Sequence, residues 1–229
     1  MTAPARLSLA DRDEAAGLTA FLARLLRYDR AAAVRLQAVR AGQGVVLAVF
    51  GRLPLGGTGV LAVRSLRLGG EAAEFDRTVS AGQLLDGVDE QSGSFALPAA
   101  VTGPAWAGLL PPRTGWQRIT EPAAGEVMPE LTRAIGEFKQ RSAEVPEHHR
   151  TRTVLDGLAD EIWSRPLTAT PELPLRAVHA SYVVGFLSPG APLAVHRSGN
   201  WLRLSTPAGS VALRAAAAPG AGLGLSPLR

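Results

Sequence analysis

Residues 101–119 read VTGPAWAGLLPPRTGWQRI, and the character of the chain changes across them. The stretch holds Trp106 and Trp116, two of the four tryptophans, with Pro104, Pro111 and Pro112 between and before them. Arg113 is its first charge. Upstream, apolar residues alternate with the period of strands; downstream, they recur with the period of helices. Proline fixes φ at about −65° and lacks an N–H, so these residues hold the segment extended. The stretch therefore reads as a seam between an N-terminal lobe, residues 1–119, and a C-terminal lobe, residues 120–229.

Back from the seam, the sequence alternates between strands and glycine turns. AEFDRTV (73–79) and GVLAVRSLRL (59–68) are strand-like and flank Gly69-Gly70. VVLAVFGR (45–52) and AVRLQAVR (33–40) flank Ala41-Gly42-Gln43-Gly44, a hairpin signal because glycine supplies positive φ. Leu53 to Thr58 reads as a second turn. Consecutive strands with short turns predict an antiparallel meander with one apolar face. Leu18, Phe21, Leu22, Leu25 and Leu26 lie on one side of a helix predicted from Asp11 to Tyr28, and that helix covers the meander. Asp11 stands three residues before Glu14, the spacing of a capping box. Met1 to Ala10 is expected to be mobile. Ser80 caps a short helix ending at Leu85, residues 94–97 form a short strand, and Gly115 to Ile119 closes the N-terminal lobe as its last strand.

Forward from the seam, Val127, Leu131, Ile135 and Phe138 share a helix face, with Pro129 near the helix start or at a kink. Pro146 suits the first position of a second helix, with Val154, Leu155, Leu158 and Ile162 inward and Pro166 ending it. Pro174 opens a third helix that buries Leu175, Val178, Tyr182 and Phe186. Leu193 to Arg197, Trp201 to Ser205 and Ser210 to Arg214 form three strands, with turns at Ser198-Gly199-Asn200 and Pro207-Ala208-Gly209. The tail, AAAAPGAGLGLSPLR, is low in complexity and expected to fray. The sequence carries no convincing internal repeat. The fold class is α+β: an N-terminal helix packed on an antiparallel β-meander, then a C-terminal helical lobe with a small three-stranded antiparallel sheet.

Composition narrows the function classes. A hydrophobic content of 46% beside 19% charged residues supports a real core and argues against disorder. The absence of cysteine excludes disulfides and thiolate chemistry. No apolar run reaches the roughly 18 residues of a membrane helix, and the N-terminus shows no secretory apolar region, so a cytoplasmic protein without membrane contact is expected. The net charge of +4 is almost wholly arginine, and Lys139 as the sole lysine leaves little room for Schiff-base or P-loop chemistry.

Catalytic motifs do not emerge. Gly42-Gln43-Gly44 and Gly56-Gly57-Thr58-Gly59 lead into strands, whereas a phosphate cradle needs the N–H groups of a helix start. Neither G-x-S-x-G nor H-E-x-x-H occurs. Asp156 and Asp160 share a helix face and could serve metal or acid–base work, but a solvated face explains them better. His148 and His149 are adjacent, so on a helix they point about 100° apart and do not chelate one ion. His179 falls on an apolar helix side and His196 on a late strand. No metal or cofactor is expected.

Two surfaces remain. Trp106, Arg113 and Trp116 suit a binding platform, since tryptophan and arginine bury large area with oriented donors; the competing reading is a rigid crossing whose tryptophans plug the core between lobes. After Glu172 the chain has no acid, and Arg176, Arg197, Asn200 and Arg203 sit on a helix and hairpin that could meet nucleic-acid phosphates. Against that, the link from Ser164 to Leu173 is longer than the 3–4-residue turn typical of helix-turn-helix.

TGPAWAGLLPPRTGW, EIWSRPL and SGNWLRLSTPAGSVALR resemble segments of conserved actinobacterial proteins of unassigned function. The resemblance spans most of the chain and implies no activity, ligand or catalytic residue. The leading functional reading is a non-catalytic binding or interaction protein, a homodimer or the partner of another protein. The alternatives are a nucleic-acid-binding regulator using the basic C-terminal helix and hairpin, and a hydrolase-like enzyme with a cleft of about 300 Å3 or more between the lobes.

Overall fold

In the computed structural model the described residues are 6–55, 59–70 and 72–215. The start of the N-terminal segment, most of the Gly56-Gly57-Thr58-Gly59 turn and nearly all of the C-terminal tail lie outside them. A short strand, β1 (Arg6–Ser8), leads to helix α1 (Arg12–Tyr28). The Asp11 carboxylate accepts the Glu14 N–H at 2.8 Å, as the cap spacing predicts. The reciprocal half of the box does not form, because Glu14 accepts from the Arg67 backbone N–H and, at 2.9 Å, from Arg67 Nε. Leu18, Phe21, Leu22 and Leu25 are buried against the sheet.

Strands β2 (Ala33–Ala41), β3 (Gly44–Leu53) and β4 (Val60–Leu68) form the expected meander. Strand β5 (Phe75–Ser80) departs from it. Rather than following β4, it crosses back to pair with β2, from Ala33↔Ser80 to Ala38↔Phe75. Polar matching on β2 favours this edge: Asp76 accepts from Arg35 Nε and Nη2 at 2.7 Å each and from Gln37 Nε2 at 2.8 Å. Helix α2 (Ala81–Asp86) follows, capped by Ser80. Strands β6 (Val88–Asp89) and β7 (Ser94–Ala96) then make a small sheet with β1, in the order β1-β7-β6. Residues 6–8, expected to be mobile, are thus held in a strand, and Arg6 Nη2 donates to Ser94 Oγ at 2.9 Å.

Past the seam comes β8 (Gln117–Thr120), which pairs with a C-terminal strand and not with the N-terminal meander. Helix α3 (Ala124–Glu144) buries Val127, Leu131 and Ala134. Pro146 opens only a 3-10 turn, Glu147–His149. Helix α4 (Arg152–Trp163) starts later, where Thr151 Oγ1 accepts the Val154 N–H. That delay moves Val154 into the first turn and leaves it exposed, against its expected inward position. A hairpin of β9 (Pro166–Leu167) and β10 (Thr170–Pro174) leads to α5 (Leu175–Val183). Leu175 and Val178 are buried as expected, while Tyr182 is exposed. Phe186 lies beyond the helix end, where it stacks on Phe21 of α1 with centroids 5.4 Å apart. Strands β11 (Ala194–Ser198), β12 (Trp201–Thr206) and β13 (Gly209–Arg214) match the predicted trio within a residue or so.

The C-terminal trio does not form a separate sheet. Strand β13 pairs with β4 through Ser210↔Val63, Val211↔Ala62 and Ala212↔Leu61. One antiparallel sheet of eight strands results, in the order β5-β2-β3-β4-β13-β12-β11-β8. Read inward from the edges, β5-β2-β3-β4 and β8-β11-β12-β13 echo each other, and helices α1 and α5 lead into the two inner meanders. Alternation gives the sheet two unlike faces. Val34, Leu36, Leu47, Val49, Leu204 and Val211 face the layer of α1 and α5 and are fully buried. Among the described residues no α-helix packs on the opposite face; the Trp/Pro stretch crosses it.

Candidate binding site

The crossing is anchored at its start. The Val101 N–H donates to the Thr78 carbonyl at 2.9 Å, and Arg77 Nη1 donates to the Pro98 carbonyl at 3.3 Å, so the chain runs beside β5. The Arg35 guanidinium then donates to the Ala107 carbonyl in the 3-10 turn Ala105–Gly108, which carries Trp106. Beyond Leu109 the strap lies over the sheet. Trp116 Nε1 donates to the Pro112 carbonyl at 2.8 Å, locking the indole to the rigid Pro-Pro corner.

Two tryptophan–arginine pairs form on this face. The Arg203 guanidinium carbon sits 4.2 Å from the centre of the Trp116 ring, and that of Arg214 sits 5.2 Å from the centre of the Trp201 ring. A cation over an indole face is attracted by the ring quadrupole, and the attraction grows with desolvation. Trp106 and Trp116 are half-buried and Arg113 is exposed. Neither tryptophan enters the core on the helix side.

Between the strap and the sheet is a cavity of about 240 Å3. Its floor is largely apolar, with Val39, Ala48, Phe50 and Val63 beside the hydroxyls of Ser65 and Ser210. Pro111, Pro112 and Trp116 wall it, and Arg113 and Arg203 also line it. No carboxylate is among its described lining residues. A smaller hollow of about 100 Å3 adjoins Trp106, Leu109, Trp201, Arg52 and Arg214. Both volumes fall below the roughly 300 Å3 at which ligand and cofactor pockets usually begin, so the larger one suits only a small ligand.

The electrostatics around Arg203 are one-sided. His196 of β11 stands directly opposite Arg203 of β12 and opposite Arg118 of β8. Burial, and then the charges of Arg203 and Arg118, lower the His196 pKa, so the imidazole resists adding a third charge. Arg118 is paired with Glu121. Arg203 has no acidic partner among the described residues, its buried Nε finds no acceptor, and burial lowers its pKa. On the edge strand β5, outside the cavity lining, hydrogen bonds from Arg35 and Gln37, with the charges of Arg35 and Arg113, hold Asp76 below the usual carboxylate range.

The residues considered for nucleic acid do not converge. Arg176 is spent on the helix side, where Nη2 donates to Asp160 at 2.6 Å and to Ser164 Oγ at 2.9 Å. Arg197 pairs with buried Leu202 and so belongs to the helix side of the sheet, while Arg203 lies on the open face. Asn200 is in the β11–β12 turn. Asp156 and Asp160 are both paired with arginines, Arg152 and Arg176. His148 and His149 are exposed, and among the described residues no three His, Asp or Glu side chains are grouped to hold a metal. His179 lies flat on Trp163, centroids 3.9 Å apart, and burial pushes its pKa down to about 4. Among the described residues no helix is long and apolar enough to cross a membrane.

Trp201 and Gln37 were missed as members of the site. Period-two alternation could have found the first, since Trp201, Arg203 and Ser205 share one strand face. Nothing local places Gln37 beneath a strap that begins sixty-odd residues later, roughly the whole N-terminal sheet away in sequence.

No curated protein matches the chain. Family models match it in two successive parts, and both carry the description domain of unknown function: DUF8010 over residues 2–108 and DUF8185 over residues 111–218. The two matches meet within the strap, between Trp106 and Arg113. The chain is thus similar, part by part, to two domain families of unknown function whose junction is the segment that crosses the open face of the sheet.

Proposed function

We propose that the protein is a non-catalytic cytoplasmic binding protein that holds its ligand on the open face of the sheet, at the strap residues Trp106, Arg113 and Trp116. The observation that carries this reading is the Arg203 guanidinium over the Trp116 ring, with Arg113 lining the same cavity and no carboxylate among its described lining residues. Stacked, desolvated arginine is costly to hold without an acceptor and is well suited to receive one. A thermal-shift screen against small molecules, run in parallel on the wild type and on Trp116→Ala, tests it. Hits that vanish in the variant are expected; hits indifferent to Trp116, or turnover of a hit, would contradict it.

A homodimer forms part of the proposal. At one end of the sheet β5 is flanked by the backbone of Pro98 to Val101, whereas β8 at the other end pairs only with β11 among the described residues. An uncovered edge strand can be capped by its copy across a two-fold axis. Light scattering should give twice the chain mass; a strict monomer at high concentration removes the dimer. Nucleic acid is the weaker reading, because Arg176 is already paired and Arg197 and Arg203 lie on opposite faces.

A further inference from the structure

We infer that the ligand of the strap cavity is a small organic carboxylate with a flat apolar body, held by Arg203 and Arg113 as a pair. The inference rests on the binding reading above and adds the ligand's chemistry. Charge comes first: Arg113 and Arg203 line the cavity with no carboxylate among its described lining residues, and Asp76, whose charge reaches Arg113, already accepts from Arg35 and Gln37. Arg203 supplies the docking point, since it lines the cavity with its guanidinium over the Trp116 ring and has no acidic partner among the described residues. A planar fork of N–H donors matches a carboxylate in two parallel bonds.

The shape decides the rest of the molecule. The volume of about 240 Å3 equals roughly eight waters at ~30 Å3 each, room for a single ring and its acid group. Phe50, Val63 and the Pro111-Pro112 wall leave the body of the ligand in apolar surroundings. Phosphate is disfavoured because the lining comes from strands and the strap, with no helix start to aim backbone N–H groups at a dianion.

Isothermal titration of the full chain with benzoate, benzyl alcohol and inorganic phosphate tests this. Benzoate is expected to bind, with both other probes weaker by about tenfold or more. Arg203→Gln should abolish that preference, and the exposed Arg113→Gln, which leaves the packing untouched, should weaken benzoate and reduce its salt dependence. Equal binding of benzyl alcohol and benzoate would overturn the carboxylate inference while leaving the binding site in place. Preference for phosphate would overturn it too. Binding of benzoate unchanged in Arg113→Gln and Arg203→Gln would overturn the assignment to this cavity. If none of the three binds at millimolar concentration the inference fails, and the wider reading then stands or falls on whether hits in the thermal-shift screen depend on Trp116.

Discussion

Arg203 and His179 show how burial acts on single ionisable side chains in this fold. Arginine keeps its charge in any protein environment, so Arg203 meets burial by stacking on Trp116. Histidine can instead lose its charge. His179 lies against Trp163 with its pKa at about 4, lowered by burial. The unfolded chain, with a value of about 6.5, takes up the proton first as pH falls. Stability is therefore full above the unfolded value and declines between the two, by about 2 kcal/mol near pH 5. Urea unfolding of the wild type and His179→Phe at neutral pH and near pH 5 checks it: the variant should lose less stability on acidification. Residue identities in the site were half legible. Trp106, Arg113 and Trp116 were grouped as near neighbours in sequence, but only Arg113 and Trp116 line the strap cavity, while Trp106 borders the smaller hollow. Arg203 could be singled out only for its charge, because its stacking on Trp116 depends on the pairing of β8, β11 and β12, which no local pattern encodes.

At the scale of elements, the close approach of α1 to β3 is decided by a missing side chain. A Cβ at Gly51 would overlap the buried Leu25 side chain. Gly51→Ala is expected to cost about 1–3 kcal/mol through overpacking, measured by urea denaturation, with partial rescue by Leu25→Val; an unchanged midpoint would show that α1 sits farther off. The elements themselves were largely readable, since glycine turns, the Asp11 cap and period-two alternation are local signals. Helix α4 was misplaced because Pro146 and Thr151 both offer starts, and the chain uses the threonine, whose Oγ1 accepts a backbone N–H. Strand β5 was misplaced for a different reason. Its partner is chosen by Asp76 meeting Arg35 and Gln37, which only the folded register brings together.

For the whole molecule, the decisive contact is β4 with β13. It turns two successive meanders into one sheet, and the stack of Phe21 on Phe186 ties the helix layer across the same join. Heat or denaturant should therefore unfold the molecule in a single transition, with Phe186→Ala lowering stability by about 3–5 kcal/mol. Two separable transitions would mean that the halves hold together only weakly. The join was illegible beforehand because a strand's alternation states which residues face the core but not which edge it joins. It also brings Arg113 of the strap and Arg203 of β12 to one cavity. The most direct test follows the four tryptophan indole N–H resonances as benzoate is added, with Trp116→Phe and Trp163→Phe supplying the assignments. The Trp116 signal, held by the Pro112 carbonyl beside Arg203, is expected to shift with saturation, while that of Trp163, buried among the helices, stays in place. A Trp116 signal that does not move, or a shift confined to Trp163, would contradict a binding site on the open face.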